Sequence, residues 1–232
     1  MEGRNGSSVT VLLPALNEED GIGEVIDSLP REQIENAGYG LKVLVVDGNS
    51  TDRTIEIAKK RGAEVVLQDG KGKGHGVRAG FISVDTDYLI MMDADGTYPS
   101  ENIPDFLEHL SNGADVVMGS RLLGSIAEGS MTDLNRAGNR LLSFMATTLY
   151  GMKTTDLCTG MWGFKRRAIE AIELNSSGFE IESEMFAQSV KAGLAIHEVP
   201  INYSTREGET KLGSLRCGLR IALKLLRKRF VR

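Results

Sequence analysis

Short apolar runs and amphipathic stretches alternate along the first half of the chain. Residues 9–13 form an apolar run that stops at Pro14. In residues 19–29, Ile22, Val25, Ile26 and Leu29 recur at helical spacing on one face. The run KVLVV at 42–46 reads as a buried strand, and 52–61 as a helix with Ser50 or Thr51 as its N-cap. A strand over 63–67 and a helix over 76–84 follow, then the strand YLIMM at 88–92 and a turn containing Pro99. A helix over 103–110 and a strand over 115–119 complete the regular part. Repeated β-α-β units predict an α/β fold, a mostly parallel central sheet with helices on both faces. The second half is less regular, with helices expected over 134–149 and 182–192 and strands over 161–165 and 196–203.

The length of 232 residues suits one domain. A hydrophobic content of 41% with 25% charged residues is that of an ordinary globular protein. The net charge of −5 argues against a general nucleic-acid binder. Cys158 and Cys217 are too few for a disulfide framework, and three histidines are too few for a Cys/His zinc site. The longest uncharged apolar run, roughly 141–152, falls well short of the ~20 residues that span a bilayer. The first eight residues carry no apolar signal core, so a cytoplasmic protein is expected. Charge is unevenly spread, however. Residues 206–232 hold nine basic and two acidic side chains, against a net −12 for the remainder. Such a tail is expected to meet an anionic surface.

Candidate chemistry gathers after the strands, where open parallel sheets bind ligands. KVLVV is followed by Asp47, and YLIMM by Asp93-Ala94-Asp95. Alternate carboxylates in extended chain point the same way, ~6–7 Å apart. Hard oxygen ligands without His or Cys favour Mg²⁺ or Mn²⁺, which bind together with substrate phosphates. The bland reading of Asp93 and Asp95 is a turn before Pro99. The stretch Gly70–Gly76 carries Lys71 and Lys73 and is not a Walker A loop, since no Gly-Lys pair precedes Ser or Thr. Gly74-x-Gly76-x-x-Ala79 matches a dinucleotide fingerprint, but after the third strand rather than the first. A nicotinamide enzyme is therefore a weak rival, and a solvated turn stands beside a phosphate-approaching loop.

Eight segments in order resemble the family 2 glycosyltransferases of GT-A (Rossmann-like) fold, above all the polyprenyl-phosphate (dolichyl-phosphate) sugar synthases. They are LLPALNEE (12–19), VVDGNSTDRT (45–54), GKGKGHGVRAG (70–80), MMDADGTYP (91–99), GSR (119–121), TTDLCTG (154–160), GFEIESEM (178–185) and REGETKLG (206–213). The resemblance implies a GT-A domain over 1–213 and a basic amphipathic tail helix over 214–232. It implies that Pro14, Asn17, Glu18 and Asp47 bind the nucleotide-sugar donor. Asp93 and Asp95 would hold the metal and the donor diphosphate. Arg121 and Arg136 would meet the acceptor phosphate, and Arg206 and Lys211 would close over both phosphates. Glu184 matches an acidic position that could equally be a buried structural partner of a basic residue. Asp156 is either a substrate contact or a brace for a turn with Thr155 and Thr159. His75, His109 and His197 receive no role.

Three departures from the mannosyl members bear on the donor. Asp47-Gly48-Asn49-Ser50 stands for DDGS, Gly96-Thr97 for Leu-Gln after the metal pair, and REGETK is one residue shorter than REYGESK. They lean the donor toward UDP-glucose or UDP-GlcNAc over GDP-mannose. The activity implied is inverting, metal-dependent hexose transfer to polyprenyl phosphate. A phosphate monoester has its second pKa at ~6 and is a ready nucleophile, so no catalytic base is required. A sugar-hydroxyl acceptor would instead make Glu182 or Glu184 the base. A glycan-modifying transferase and a non-catalytic nucleotide-sugar-binding module are the other readings. In the tail, Leu215, Leu219, Ala222, Leu226 and Phe230 recur on one helical face and Arg216, Arg220, Lys224 and Lys228 on another. This pattern predicts peripheral association with the cytoplasmic face of a membrane, or else a helix packed on the domain or a self-association helix.

Overall fold

A computed structural model describes residues 7–205 and 214–230. At its centre is a seven-stranded sheet. In chain order the strands are β1 (Ser7–Ala15), β2 (Tyr39–Asp47), β3 (Glu64–Leu67), β4 (Tyr88–Met91), β5 (Val116–Ser120), β6 (Trp162–Lys165) and β7 (Ile196–Pro200). Their spatial order is β3-β2-β1-β4-β6-β5-β7. All neighbouring pairs run parallel except those of β6, which is antiparallel to both β4 and β5. The cause is the excursion between β5 and β6. It leaves and re-enters at the carboxyl edge of the sheet, so β6 must run back.

Nine α-helices are described: α1 (Ile22–Asp27), α2 (Arg31–Asn36), α3 (Thr54–Lys60), α4 (Lys73–Ser83), α5 (Ile103–Ser111), α6 (Asp133–Tyr150), α7 (Arg166–Ala171), α8 (Ile181–Lys191) and α9 (Ser214–Phe230). Strand alternation divides the apolar side chains between two layers. Val9, Val11 and Leu13 of β1 join Ile22, Ile34, Ala58 and Phe106 from α1, α2, α3 and α5. Leu12 faces the other way, with Val77, Ala146, Phe186, Ile221 and Leu225 from α4, α6, α8 and α9.

Several boundaries differ from the sequence expectation. Helix α3 starts at Thr54 with Arg53 at its N-cap rather than Ser50 or Thr51, and Asp52 ties down its first residue. Asp52 Oδ1 accepts from Thr54 N at 2.9 Å and Thr54 Oγ1 at 2.5 Å. Helix α1 covers only the middle of 19–29, since residues 17–19 are drawn into hydrogen bonds with Ser50, Thr54 and Asp52 beyond β2. Helix α4 begins three residues early, at Lys73. Gly72 has φ +104° and Gly74 N donates to Ser177 O at 3.0 Å. A side chain at either glycine would strike a backbone carbonyl of Ser176 or Ser177. Gly72 and Gly74 are thus close backbone packing sites, while Gly70 and Lys71 before them lie in an exposed bend. Helix α6 is capped by Thr132, which accepts from Asn135 N, and ends at Gly151 with φ 72°.

The tail helix also departs from the expected faces. It packs on α6 and α8. Ile221 and Leu225 are buried, while Leu219, Leu226 and Phe230 of the expected apolar face are exposed. Leu215's side chain lies outside the described residues. Lys224 and Lys228, expected on a solvated basic stripe, turn inward to Glu184. No helix among the described residues is long and apolar enough to cross a membrane.

Glu184 is fully buried on α8. Its Oε1 lies 2.6 Å from Lys228 Nζ, and its Oε2 accepts from Ser176 N at 2.7 Å and Asn175 N at 3.0 Å. The structural reading of Glu184 therefore holds. Burial pushes its carboxyl up, but Lys228, Ser176 and Asn175 together outweigh burial and hold it below the ordinary 4.5. A depressed carboxyl contributes stability above its unfolded pKa, and that contribution is lost as pH falls through the folded value. Thermal stability is therefore expected to fall on acidification below about pH 4.5. In Glu184→Gln that acid limb should be shallower, as checked by circular-dichroism melts from pH 3 to 7.

Candidate active site

The loops after β1 and β2 lace together at the carboxyl edge of the sheet. Asn17, in left-handed backbone at φ 50°, accepts on Oδ1 from Thr51 N at 2.8 Å. Its own N–H donates to Ser50 Oγ at 2.8 Å, and Glu18 N donates to Thr54 Oγ1 at 2.9 Å. Pro14 sits in register with Val46 beside them. Asp47 closes β2 fully buried, accepting from Ser50 N at 2.7 Å and Ser50 Oγ at 2.6 Å. Pro14, Asn17, Glu18 and Asp47 thus share one edge. Asp47 also organises the turn that presents Asn49 and Ser50.

Strand β4 ends at Met91, so Asp93 and Asp95 lie in the loop beyond it. Their surroundings differ. Asp95 is buried, and its Oδ1 accepts from Thr97 Oγ1 at 2.6 Å and Thr97 N at 3.1 Å. Asp93 is partly open, with 28% of its side chain exposed. Its Oδ1 lies 2.5 Å from Lys73 Nζ, and Lys73 reaches Glu182 Oε1 at 2.6 Å. A Cβ on Gly160 would crowd Asp93 Oδ2, so a side chain there would push that carboxylate from its place. Gly160 N in turn donates to Tyr98 Oη at 2.6 Å.

Two carboxylates share one ammonium here. Burial disfavours the charged form of Lys73, but Asp93 and Glu182 more than reverse this and hold it above the ordinary lysine value. Burial also pushes the Glu182 carboxyl up, against the pull of Lys73. Glu182 Oε2 is buried without a hydrogen-bond partner. The cluster carries surplus negative charge beside Asp95. Among the described residues no group of three His, Cys, Asp or Glu side chains could hold a metal. Asp93 and Asp95 nevertheless fit Mg²⁺ or Mn²⁺, which take one or two carboxylates and fill their remaining positions with water and substrate phosphates.

Arg121, just past β5, is almost wholly buried. It grips Asp156 through Nε at 2.7 Å, Nη2 at 2.7 Å and its backbone N at 2.9 Å, and donates to Cys158 O at 2.7 Å. Its guanidinium lies 5.9 Å from the Tyr98 ring centre and 5.2 Å from that of Tyr203. Asp156 also accepts from Asn139 Nδ2 at 2.6 Å. Glu198 holds the preceding residues by accepting from Thr154 Oγ1 at 2.7 Å and Thr155 N at 2.8 Å. Asp156 is therefore the counter-ion of Arg121, not a brace for Thr155 and Thr159. Beside this pair is a polar pocket of about 160 Å³, lined by Arg121, Leu122, Gly124, Ile126, Arg136 and Arg140. Arg136 Nε is buried there with no hydrogen-bond partner. Arg206 and Lys211 lie outside the described residues.

Sequence reasoning treated Lys73 only as part of a glycine loop and gave Arg140 no role. Lys73 does flank the glycines at the start of a helix, a usable signal. Arg140 follows Arg136 by four residues on α6, which puts both on one face.

A family model of "Glycosyl transferase family 2" matches residues 10–173, and the chain belongs to that family. It is 42% identical over 215 residues to the low-salt glycan biosynthesis hexosyltransferase Agl6 of Haloferax volcanii. That match covers 92% of this chain and 52% of the relative, so the chain spans about half of that protein's length. It is 36% identical over 219 residues to a dolichyl-phosphate hexose transferase of the same organism, covering 94% of this chain and 92% of the relative. Glucosyl-3-phosphoglycerate synthase of Mycobacterium tuberculosis, solved with phosphoglyceric acid, has the same fold. The TM-score is 0.77 at 22% identity, over 97% of this chain and 80% of that one. The same enzyme has been solved with Mn²⁺, uridine diphosphate and glucosyl-3-phosphoglycerate, with a TM-score of 0.75 at 23% identity, over 97% of this chain and 80% of that one. The fold and family agree with the resemblance, and the dehydrogenase reading falls.

Proposed function

We propose that the protein transfers a hexose, with inversion, from a nucleotide sugar to a dolichyl or polyprenyl phosphate. The observation that carries this reading is the arginine pocket, where a buried Arg136 Nε has no partner beside Arg121 and Arg140. A phosphate monoester offers the oxygens such a pocket lacks. The Haloferax relative matched over most of its length is a dolichyl-phosphate hexose transferase, which supports the same acceptor.

In this reading Pro14, Asn17, Glu18 and Asp47 cradle the nucleoside. Asp93 and Asp95 hold Mg²⁺ or Mn²⁺ against the diphosphate, where the ion's charge would offset that of the leaving group. An acceptor phosphate oxygen forms the new bond to the sugar C1 as the C1–O bond to the diphosphate breaks. The bonding electrons leave with the nucleoside diphosphate and no proton need move. Arg121, Arg136, Arg206 and Lys211 restrain two mutually repelling anions, and the chemistry is positioning and electrostatics. A glycan hydroxyl would need a free base, yet Glu182 is paired with Lys73 and Glu184 with Lys228. The departures at Asn49, Gly96 and Thr97 favour UDP-glucose or UDP-GlcNAc over GDP-mannose.

A lipid acceptor also suits the surface beside the pocket. Helix α6 carries Arg136 and Arg140, then exposed Leu141 and Phe144. Helix α9, packed alongside, exposes Leu219, Leu223, Leu226 and Phe230 with Arg216, Arg220, Arg227 and Arg229. Each basic side chain near an anionic leaflet contributes ~1 kcal/mol. The protein would then sit peripherally on the cytoplasmic face while the polyprenyl chain stays in the bilayer.

The test is transfer of label from UDP-Glc, UDP-GlcNAc and GDP-Man to polyprenyl phosphate with Mn²⁺ or Mg²⁺. Acid-labile label in the organic phase from one donor, lost on chelation, is expected. Folded, nucleotide-binding protein that yields no lipid label from any donor would overturn the lipid-phosphate reading.

A further inference from the structure

The first turn of α8 faces two parts of the molecule at once. Glu182 points to the ion cluster with Lys73 and Asp93, and Glu184, two residues on, points to α9. We propose that Glu184 is a positioning residue that joins the seat of α9 to the donor-side cluster, so that the seating of α9 sets how tightly nucleotide and metal bind. The proposal rests on the reading of the Asp93–Asp95 edge as the donor site.

The joint can be followed atom by atom. On one side, Lys228 Nζ stands 2.6 Å from Glu184 Oε1 and Lys224 Nζ 3.6 Å from it. Lys224 Nζ also donates to Asn175 Oδ1 at 2.8 Å. On the other side, Oε2 takes the backbone N–H groups of Asn175 and Ser176. Both oxygens of one buried carboxylate are thus spent on two different elements. Ser176, so held, and its chain neighbour Ser177 set their carbonyls against Gly74 and Gly72. Those contacts are backbone on backbone, so no side-chain rotation can absorb a shift. Lys73 lies between the two glycines, and its ammonium bridges Asp93 and Glu182. Glu182 returns to the same turn as Glu184, which closes the ring.

The ring gives the buried acid more than a packing role. Without the two lysines, Glu184 Oε1 faces no cation, and a buried carboxylate cannot remain so. It must move or take up a proton, and either change loosens 175–177 against α4. The displacement then reaches Lys73, whose position decides how Asp93 is presented. Tyr150 Oη donating to Leu225 O at 2.8 Å and Lys191 Nζ donating to Lys228 O at 3.0 Å hold α9 independently of Glu184. They offer a control for loosening in general.

The experiment is calorimetric titration of the full chain with Mn²⁺ and UDP, and in parallel with Mn²⁺ and GDP. The proteins are wild type, Glu184→Gln, Lys224→Met/Lys228→Met, Lys228→Arg and Lys191→Met, each first checked for a cooperative melt. Glu184→Gln and the double lysine variant are expected to bind the preferred nucleotide at least fivefold more weakly. Lys228→Arg and Lys191→Met should stay within twofold of wild type. A merely structural Glu184 would lower the melting temperature and leave the affinity of the folded protein unchanged. Wild-type affinity in a folded double lysine variant would overturn the proposal, as would equal weakening by Lys191→Met. If Glu184→Gln does not fold, the lysine variant decides. If wild type binds neither nucleotide, the donor reading itself falls and this inference with it.

Discussion

Asp156→Asn is expected to destabilise the fold by about 3–5 kcal/mol, or roughly 6–20 °C in melting temperature for a domain of this size. The size follows from what Asp156 faces. Arg121 is buried and stays charged at any accessible pH. Asp156 meets it with both oxygens and takes the backbone N of Arg121 and Asn139 Nδ2 as well. The asparagine leaves a buried guanidinium with no counter-charge and turns one acceptor into a donor facing donors. Removing both charges is a different matter, because a buried pair replaced by apolar groups of similar volume is often near neutral. Arg121→Met/Asp156→Leu should therefore recover more than half of the lost stability while abolishing transfer. Calorimetric melts of wild type and the two variants check this. A loss below about 1 kcal/mol in Asp156→Asn would mean that water reaches the pair, as at a surface ion pair.

Asp95→Ala and Asp93→Asn are each expected to lower transfer by about 10²–10³-fold, the loss seen when one preorganised charge-stabilising group is removed. The two should differ in what else they do. Asp95 is buried and ties down Thr97, so its loss should also cost about 1–2 kcal/mol of stability through broken hydrogen bonds. Asp93 is partly open and shares Lys73 with Glu182. Asp93→Asn should leave the melt within a few degrees and instead raise the Mn²⁺ concentration needed for half-maximal nucleotide binding. Initial-rate assays across Mn²⁺ concentration, beside melts of both proteins, separate the effects. Transfer within tenfold of wild type in either variant would remove that carboxylate from the metal and diphosphate role.

The β-α order, the antiphase of inward and outward strand residues and the acidic strand ends were legible because each is a local signal. The period of KVLVV or YLIMM survives in any tertiary setting, and so does the D-A-D that follows. Helix faces were less secure. On α9 the residues 219, 226 and 230 share a face as cleanly as 221 and 225 do. Only the neighbouring helices decide which face is covered. The same holds for Lys224 and Lys228, which read as solvated until the buried carboxylate on α8 is placed beside them.

What the sequence determined by itself was the class of fold, the gathering of carboxylates after the strands at one edge of the sheet and the oxygen-only character of the Asp93–Asp95 pair. These depend on residue type and spacing within a few positions. What only the tertiary structure decided were partners far apart in the chain. Arg121 finds Asp156 35 residues away, and Lys73 finds both Asp93 and Glu182. The antiparallel β6 and the early start of α4 belong to the same group, since each answers to a distant segment. The physical reason is common to all of them. A charge taken out of water must be met by whatever the fold brings within a few ångströms, and no local pattern records which residue that is.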